Sequence, residues 1–314
     1  MTSENISAII LAYNEEKNLP ILFETIKEVD EIILIDHEST DQTAKLAKEL
    51  GAKVIKRKWI TDTATEDDIA EFTRRFGFKP IFKAGNVLYD GGRECNWCMR
   101  YAKNDWILWI DGDERLMMDK DEINELLPVS DVIPMLFNHA HDTQGNVTEA
   151  FHAVKLARKS KTWWWGRIHG AIIGYDLRIN IPKKTYMDHF QQYKEWRNTY
   201  LPALEFAFIR DNDVRTNYYL AREYYSYGEY NKCIQFFKMY LKSAYGVKEI
   251  VKAYSLMAIC YWRLGNEAEA HIACFHAMRI DPYAKEPLLL MADFSRPHEA
   301  IQWRKFAELG KGEV

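Results

Sequence analysis

No stretch of the 314-residue sequence approaches the roughly 18 consecutive apolar residues a membrane span needs. The N-terminus, "MTSENISAIILAYNEE", has no basic start and meets acids after one short apolar run, so it reads as a first strand rather than an export signal. A cytoplasmic, soluble protein is expected. Charge of one sign is also lacking: the net charge is −4 with 28% charged residues, which gives no whole-chain reason to bind nucleic acid or an anionic membrane. Cysteine is scarce, with Cys95, Cys98, Cys233, Cys260 and Cys274 scattered along the chain. Cys95 and Cys98 form a CxxC, but zinc would need a second pair and there is none. Both are read as buried thiols on a helix. Neither GxxxxGK[ST] nor GxGxxG occurs, which argues against P-loop and dinucleotide chemistry.

Apolar residues make up 47% of the chain, enough for a core in each of two domains. The first third alternates. "ISAIILAY" and "EIILIDHEST" are apolar runs suited to strands buried on both faces. "NLPILFETIKEV" reads as a helix capped by Asn18 with Pro20 in its first turn, and "TDQTAKLAKELG" as a second helix stopped at Gly51. "AKVIKRKW" is a third strand. Residues 60–92 break the rhythm and are read as an insertion or lid near the site. "GRECNWCMRYAKN" is then a helix feeding the strand "DWILWID". Such alternation implies an α/β domain with a mostly parallel sheet over residues 1–194.

From about residue 195 to 314 only helices are expected. "NYYLAREYYSYGEYNKC" and "AYSLMAICYWRLGNEAEA" match at Tyr218 and Tyr254, Tyr225 and Trp262, Gly228 and Gly265, and Cys233 and Ala270. That offset is near the tetratricopeptide period. A third, degenerate unit follows in "PLLLMADF…HEAIQWRKFAE". The aromatic excess over 193–262, Tyr193 and Trp196 included, is read mainly as packing between helices. The repeats are expected either to recruit a protein or peptide or to pair two subunits as a homodimer.

The strands that should point into a ligand crevice end in polar groups: Tyr13–Asn14–Glu15, Asp36–His37 and Asp111–Gly112–Asp113. Paired carboxylates at a strand end repel unless a cation or donor sits between them. Hard oxygen ligands suit Mg²⁺ or Mn²⁺, which would in turn hold a diphosphate. Gly112 is read as leaving room for a ligand. A lone DxD is common in surface loops; the buried strand before this one is what sets it apart.

"ILAYNEEKNLP", "ILIDHESTDQTAKLAKELGAKVIKRKW" and "DWILWIDGDERL" resemble family 2 glycosyltransferases of the GT-A fold. The likeness is to the branch with C-terminal tetratricopeptide-like repeats, which includes lipopolysaccharide-core glucosyltransferases and sublancin-type peptide S-glycosyltransferases. It implies a GT-A nucleotide-diphospho-sugar transferase domain, then an all-α domain. It implies an inverting transfer from a nucleotide sugar, UDP-linked by expectation, with Mn²⁺ or Mg²⁺. By position, Ala12, Tyr13, Glu15, Asp36, Arg93, Asn96, Asp111 and Gly112 would bind the donor, and Asp113, Asp111 and His189 the metal. Asp36 stands in an Asp-His-Glu-Ser context where the family has Asp-Asp or Asp-Ser-Gly-Ser, and Cys95 precedes Asn96 where the family has Arg. "GRIHG" lacks the glutamate of the family's Gly-x-x-His-Glu. Asp188, Asp142 and His169 stay open as the general base. Trp163–Trp165 are read as a sugar platform or domain packing, and His139 and His141 as loop or strand residues. The acceptor is unidentified: glycan, peptide or small molecule. The competing readings are a GT-A-like nucleotidyltransferase, which wants a Gly-rich, basic first loop absent here, and a non-catalytic repeat adaptor carrying a relic α/β domain.

Overall fold

The computed structural model describes residues 4–174, 176–190, 199–211, 213–244 and 246–309. They divide into two compact units. One holds residues up to Asp62 and from Tyr89 to Glu195; the other holds Thr63–Leu88 and the chain from Trp196 onward. The expected boundary at 194/195, and with it Tyr193 and Trp196, lies outside the described residues.

The first unit opens β1 (Ile6–Ala12), α1 (Leu19–Thr25), β2 (Glu31–Asp36), α2 (Thr43–Glu49) and β3 (Lys53–Lys56). Next along the chain come a short strand β4 (Thr61–Thr63), a helix α3 (Glu66–Phe76) that belongs to the second unit, and a short strand β5 (Val87–Tyr89), and the first unit resumes with α4 (Gly91–Cys98), β6 (Trp106–Trp109), β7 (Glu114–Met117) and α5 (Lys120–Leu126). The long strands β8 (Val132–His141) and β9 (Val147–Arg158), the small strands β10 (Trp163–Trp165) and β11 (Ala171–Ile173), and β12 (Tyr186–His189) complete it. Eight strands form one sheet in the order β3-β2-β1-β6-β9-β8-β12-β7. The sheet is mixed. The half built by the alternating segment is parallel, β3 to β2 to β1 to β6. Beyond it β9 runs antiparallel to β6 and β8, and β7 antiparallel to β12. A hairpin, β8–β9, and a doubled-back strand, β7, need no crossover helix, which is why alternation stops there.

The apolar run of β1 is explained by two cores. Ile6, Ala8, Ile10 and Ala12 pack with Leu19, Leu22 and Phe23 of α1 on one face. Ile9 meets Cys95, Cys98 and Ile107 on the other. All five cysteines are free and buried. Asn18 departs from expectation. It makes no side-chain cap on α1, and its Nδ2 donates to Glu15 Oε2 at 2.6 Å.

The second unit contains the repeats: α6 (Tyr200–Asp211), α7 (Val214–Ser226), α8 (Tyr230–Tyr240), α9 (Val247–Arg263), α10 (Glu267–Ile280), α11 (Lys285–Phe294) and α12 (Pro297–Leu309). Gly228 and Gly265 hold matching left-handed turns, φ 73° and 76°, after α7 and α9. Beta-carbon strain bars most other residues from that conformation. The helical domain thus follows the α/β domain as the repeats implied, with α11 and α12 as the third pair. Residues 63–88, most of the segment read as an insertion or lid, belong to the same unit as these helices. Helix α3 carries a capping box between Thr65 and Asp68 and stops at Gly77. Its Phe76 ring packs on Phe208 and Phe236, and Phe82 on Phe206. Glu205, fully buried, accepts Ile81 N at 2.6 Å and the Tyr224 hydroxyl. These aromatic and buried polar contacts take residues 63–88 out of the α/β unit.

Candidate active site

The carboxyl ends of β1, β2, β6, β8 and β12 gather the chemistry, because these strands run parallel to one another through the sheet. Ala12 is buried and pairs with Asp36 across β1 and β2. Tyr13, the next residue, is 51% exposed, so its ring is open to a planar ligand. Asn14 takes a left-handed φ of 57°. It is held there by Ser39 Oγ on its N–H, 2.9 Å, and by Thr40 N donating to its Oδ1, 2.8 Å. That clasp ties the β1 end to the β2 end.

Asp36 is fully buried. Its Oδ1 accepts Ser39 N at 3.2 Å and Lys56 Nζ stands 3.9 Å from Oδ2, yet Oδ2 has no hydrogen-bond partner among the described residues. A buried carboxylate oxygen left without a donor is costly. A ligand N–H or O–H would satisfy it. His37 is also buried, stacked on Trp59 at 3.2 Å, and burial pushes its pKa down to about 3. It is therefore a neutral ring.

The turn after β6 shows why its glycine is needed. A Cβ on Gly112 would stand 2.6 Å from Glu15 Cδ. The space expected for a ligand is filled by the Glu15 carboxylate, which is buried. Arg115 Nη1 donates to the Gly112 carbonyl at 2.8 Å. Burial lowers the Arg115 pKa, while Asp113 and Glu15 push the other way. Glu114 Oε2 accepts Asp111 N at 3.0 Å, and its Oε1 accepts Lys155 Nζ from β9. Burial raises the Glu114 pKa against the pull of Lys155. Lys155 lies largely buried between this turn and the Phe137 ring, 4.7 Å away. Lys155 and Arg115 are thus fixed cations under an acidic turn.

Asp113 is buried, and His189 Nε2 stands 3.7 Å from its Oδ2. The His189 Nδ1 lies 3.1 Å from the His139 carbonyl, which orients the ring with Nε2 toward Asp113. Burial disfavours the His189 cation, but Asp113 outweighs it and the pKa is raised. Asp111 is exposed, and no group of three or more His, Cys, Asp or Glu forms a metal cluster among the described residues. The three expected ligands therefore do not converge: Asp113 and His189 stand together, with Asp111 on the outer edge of the turn. A carboxylate and an imidazole side by side fit a cation of the Mn²⁺ type that takes its other ligands from substrate phosphates and water.

The remaining expected residues divide. Asp188 Oδ1 accepts Asn138 Nδ2 at 2.8 Å and faces His141 Nε2 at 3.4 Å. Asp142 is spent on the β8–β9 turn, where Asn146 bonds hold its pKa below the usual range. His169 is exposed in the β10–β11 turn with a left-handed φ of 52°. Arg93 is engaged by acids: Asp62 at 3.1 Å and Asp90 at 3.7 Å. Asn96 clamps the Trp164 backbone, with both amide ends used at 2.8 Å. Its side chain holds β10 against α4. Trp164 packs edge-on to Trp109, whereas Trp165 is 51% exposed. His139 and His141 lie on a strand, β8. Sequence reading missed Lys155 and the His141–Asp188 pair. Neither carries a motif, since each partner comes from a strand about 40 residues away or more.

Residues 7–64 match the sequence family described as Glycosyl transferase family 2. The N-terminal motifs are thus those the resemblance named. An uncharacterized glycosyltransferase of Rickettsia bellii is 28% identical over 156 residues, 47% of this chain and 43% of the relative. The chain thus spans less than half the length of this curated relative. A TPR repeat-containing protein of Synechococcus elongatus is 28% identical over 115 residues, 36% of this chain and 22% of its own. The solved structure of S. aureus TarS 1-349 aligns over 97% of this chain and 90% of that one, at TM-score 0.40 and 14% identity. That likeness is too slight to bear on activity. No described helix is long and apolar enough to cross a membrane.

Proposed function

We propose that the chain is a family 2-like glycosyltransferase that moves a sugar from a nucleotide-diphosphate donor, UDP-linked by preference, with inversion at the anomeric carbon. The observation that carries this reading is the gathering at the carboxyl edge of one sheet of an unsatisfied Asp36 oxygen, which lies in the 7–64 segment matching that family, and the Asp113–His189 pair, which lies beyond that segment. Tyr13 offers its ring to the base, and Asp36 Oδ2 takes a hydrogen bond from base or ribose. Glu15 and Gly112 set the height of the acidic turn. Lys155 and Arg115 hold that turn in place against its own repulsion. Asp113 and His189, with Asp111 at the turn's edge, would hold Mn²⁺ or Mg²⁺. Bound there, the cation would supply Lewis-acid neutralisation of the diphosphate leaving group. Asp188 is the residue proposed to take the acceptor's proton, and His169, in a separate turn, is the less favoured. The helical repeats are proposed to serve either acceptor recruitment or homodimer pairing.

Titration of UDP into the protein with and without MnCl₂ tests the reading. Tight binding is expected only with both, and Asp113→Ala is expected to abolish it and any release of UDP from UDP-sugars while the circular dichroism spectrum stays that of the parent. An Asp113→Ala protein with parental turnover would sink the assignment.

A further inference from the structure

A groove of about 360 Å³, within the size range of small-ligand clefts, lies beside the acidic turn and is used by none of the groups above except Asp188. Its walls include Leu136, Asn138, His141, Val147, Asp188 and Phe190. One half is polar: Asp188 Oδ1 gathers Asn138 Nδ2 at 2.8 Å and His141 Nε2 at 3.4 Å. The other half is flat and apolar. The His141 and Phe190 rings lie within 3° of parallel, centroids 5.2 Å apart, and Phe190, Val147 and Leu136 are 50%, 47% and 38% exposed. The groove adjoins the acidic turn at the end of β12. Asp188 pairs with Arg115 across β12 and β7, and the next step of that ladder is Phe190 N donating to the Asp113 carbonyl at 2.8 Å. Directly paired residues share a face, so Asp188 lies with Arg115, while His189, paired with Glu114, points to the other face; the groove meets the acidic turn at the end of β12, through the Phe190–Asp113 backbone bond.

We propose that this groove is the acceptor subsite and that it takes a neutral pyranose. The assignment rests on the glycosyltransferase reading above. An anionic acceptor would meet the Asp188 carboxylate. A wholly apolar one would displace water from the Asp188–Asn138–His141 cluster without offering a hydrogen bond in its place. A pyranose suits both halves: its C–H face lies on the aromatic and aliphatic wall, and its hydroxyls bond the carboxylate and the amide.

Saturation-transfer NMR on the full chain tests it, with methyl α- and β-D-glucopyranoside, methyl β-D-galactopyranoside and N-acetylglucosamine as probes and glycerol 3-phosphate and benzoate as counter-probes. Ring protons of at least one pyranose are expected to receive saturation. The signal is expected to vanish in Phe190→Ala and in Val147→Arg, the second a block at an exposed position that leaves the core alone. No pyranose signal, a signal that survives both variants, or a signal confined to the counter-probes would overturn the proposal. Titration of the parental protein with UDP and MnCl₂ separates the two readings. Nucleotide binding without pyranose binding sinks the groove alone, and pyranose binding without nucleotide sinks the donor assignment.

Discussion

Lys155→Met removes the counter-ion of Glu114 and leaves a methionine of similar reach against Phe137. The Glu114 side chain is only 2% exposed, so its charge is then stranded. Breaking a buried pair from one side typically costs about 3–5 kcal/mol. The carboxyl can escape by taking a proton, which sets a ceiling on the loss. From its ordinary value of 4.5 to pH 7 is 2.5 units, or about 3.4 kcal/mol at 1.36 kcal/mol per unit. At pH 5 the same ceiling is about 0.7 kcal/mol. The sign follows from burial, which raises the Glu114 pKa in the folded state. The folded protein then binds more protons than the unfolded chain, so stability falls as pH rises above 4.5. Losing Lys155 steepens that fall. Urea unfolding followed by tryptophan fluorescence at pH 7 and pH 5 should therefore show a deficit of about 3 kcal/mol that shrinks to about 1 kcal/mol or less. Adding Glu114→Gln should recover most of the loss at pH 7, because an amide needs no counter-ion. A deficit under about 1 kcal/mol at pH 7, or one equal at both pH values, would refute the claim that Lys155 neutralises a buried charge.

Two further outcomes follow from contacts of the same kind. Gly112→Ala should drive the Glu15 carboxylate off its seat, break the Asn18 bond and cost about 1–3 kcal/mol, with weaker UDP–Mn²⁺ binding by calorimetry. The same change in a Glu15→Ala background should cost almost nothing in the urea midpoint. Tyr224→Phe should leave Glu205 Oε1 without its hydroxyl donor and cost about 1–3 kcal/mol at pH 7. Burial raises the Glu205 pKa, so that loss should ease as pH falls toward 4.5, read by the same unfolding assay.

Much of the molecule was legible in short windows. The buried runs at β1, β2 and β6 and the helices between them follow from apolar patterning alone, and the matched glycines at 228 and 265 from the internal repeat. The strand-end acids were legible too, because a strand that ends in Asp111–Gly112–Asp113 puts those groups at the sheet's carboxyl edge whatever lies beside them. The partners of Asn18 and Asn96 were not legible for one reason. Side-chain amides bond whatever donor or acceptor the fold brings near, and here these were Glu15 and the Trp164 backbone.

What sequence determined by itself was periodicity: which residues are apolar, at what spacing, and where the chain must turn. Tertiary structure alone decided which polar groups meet. Lys155 reaches Glu114 from 41 residues away, His141 reaches Asp188 from 47, and Glu205 reaches the Ile81 backbone across 124. Local patterning carries no signal at such separations. Only the packing of strand on strand and helix on helix sets which donor stands opposite which acid, and so which charges are stable at the centre of this site.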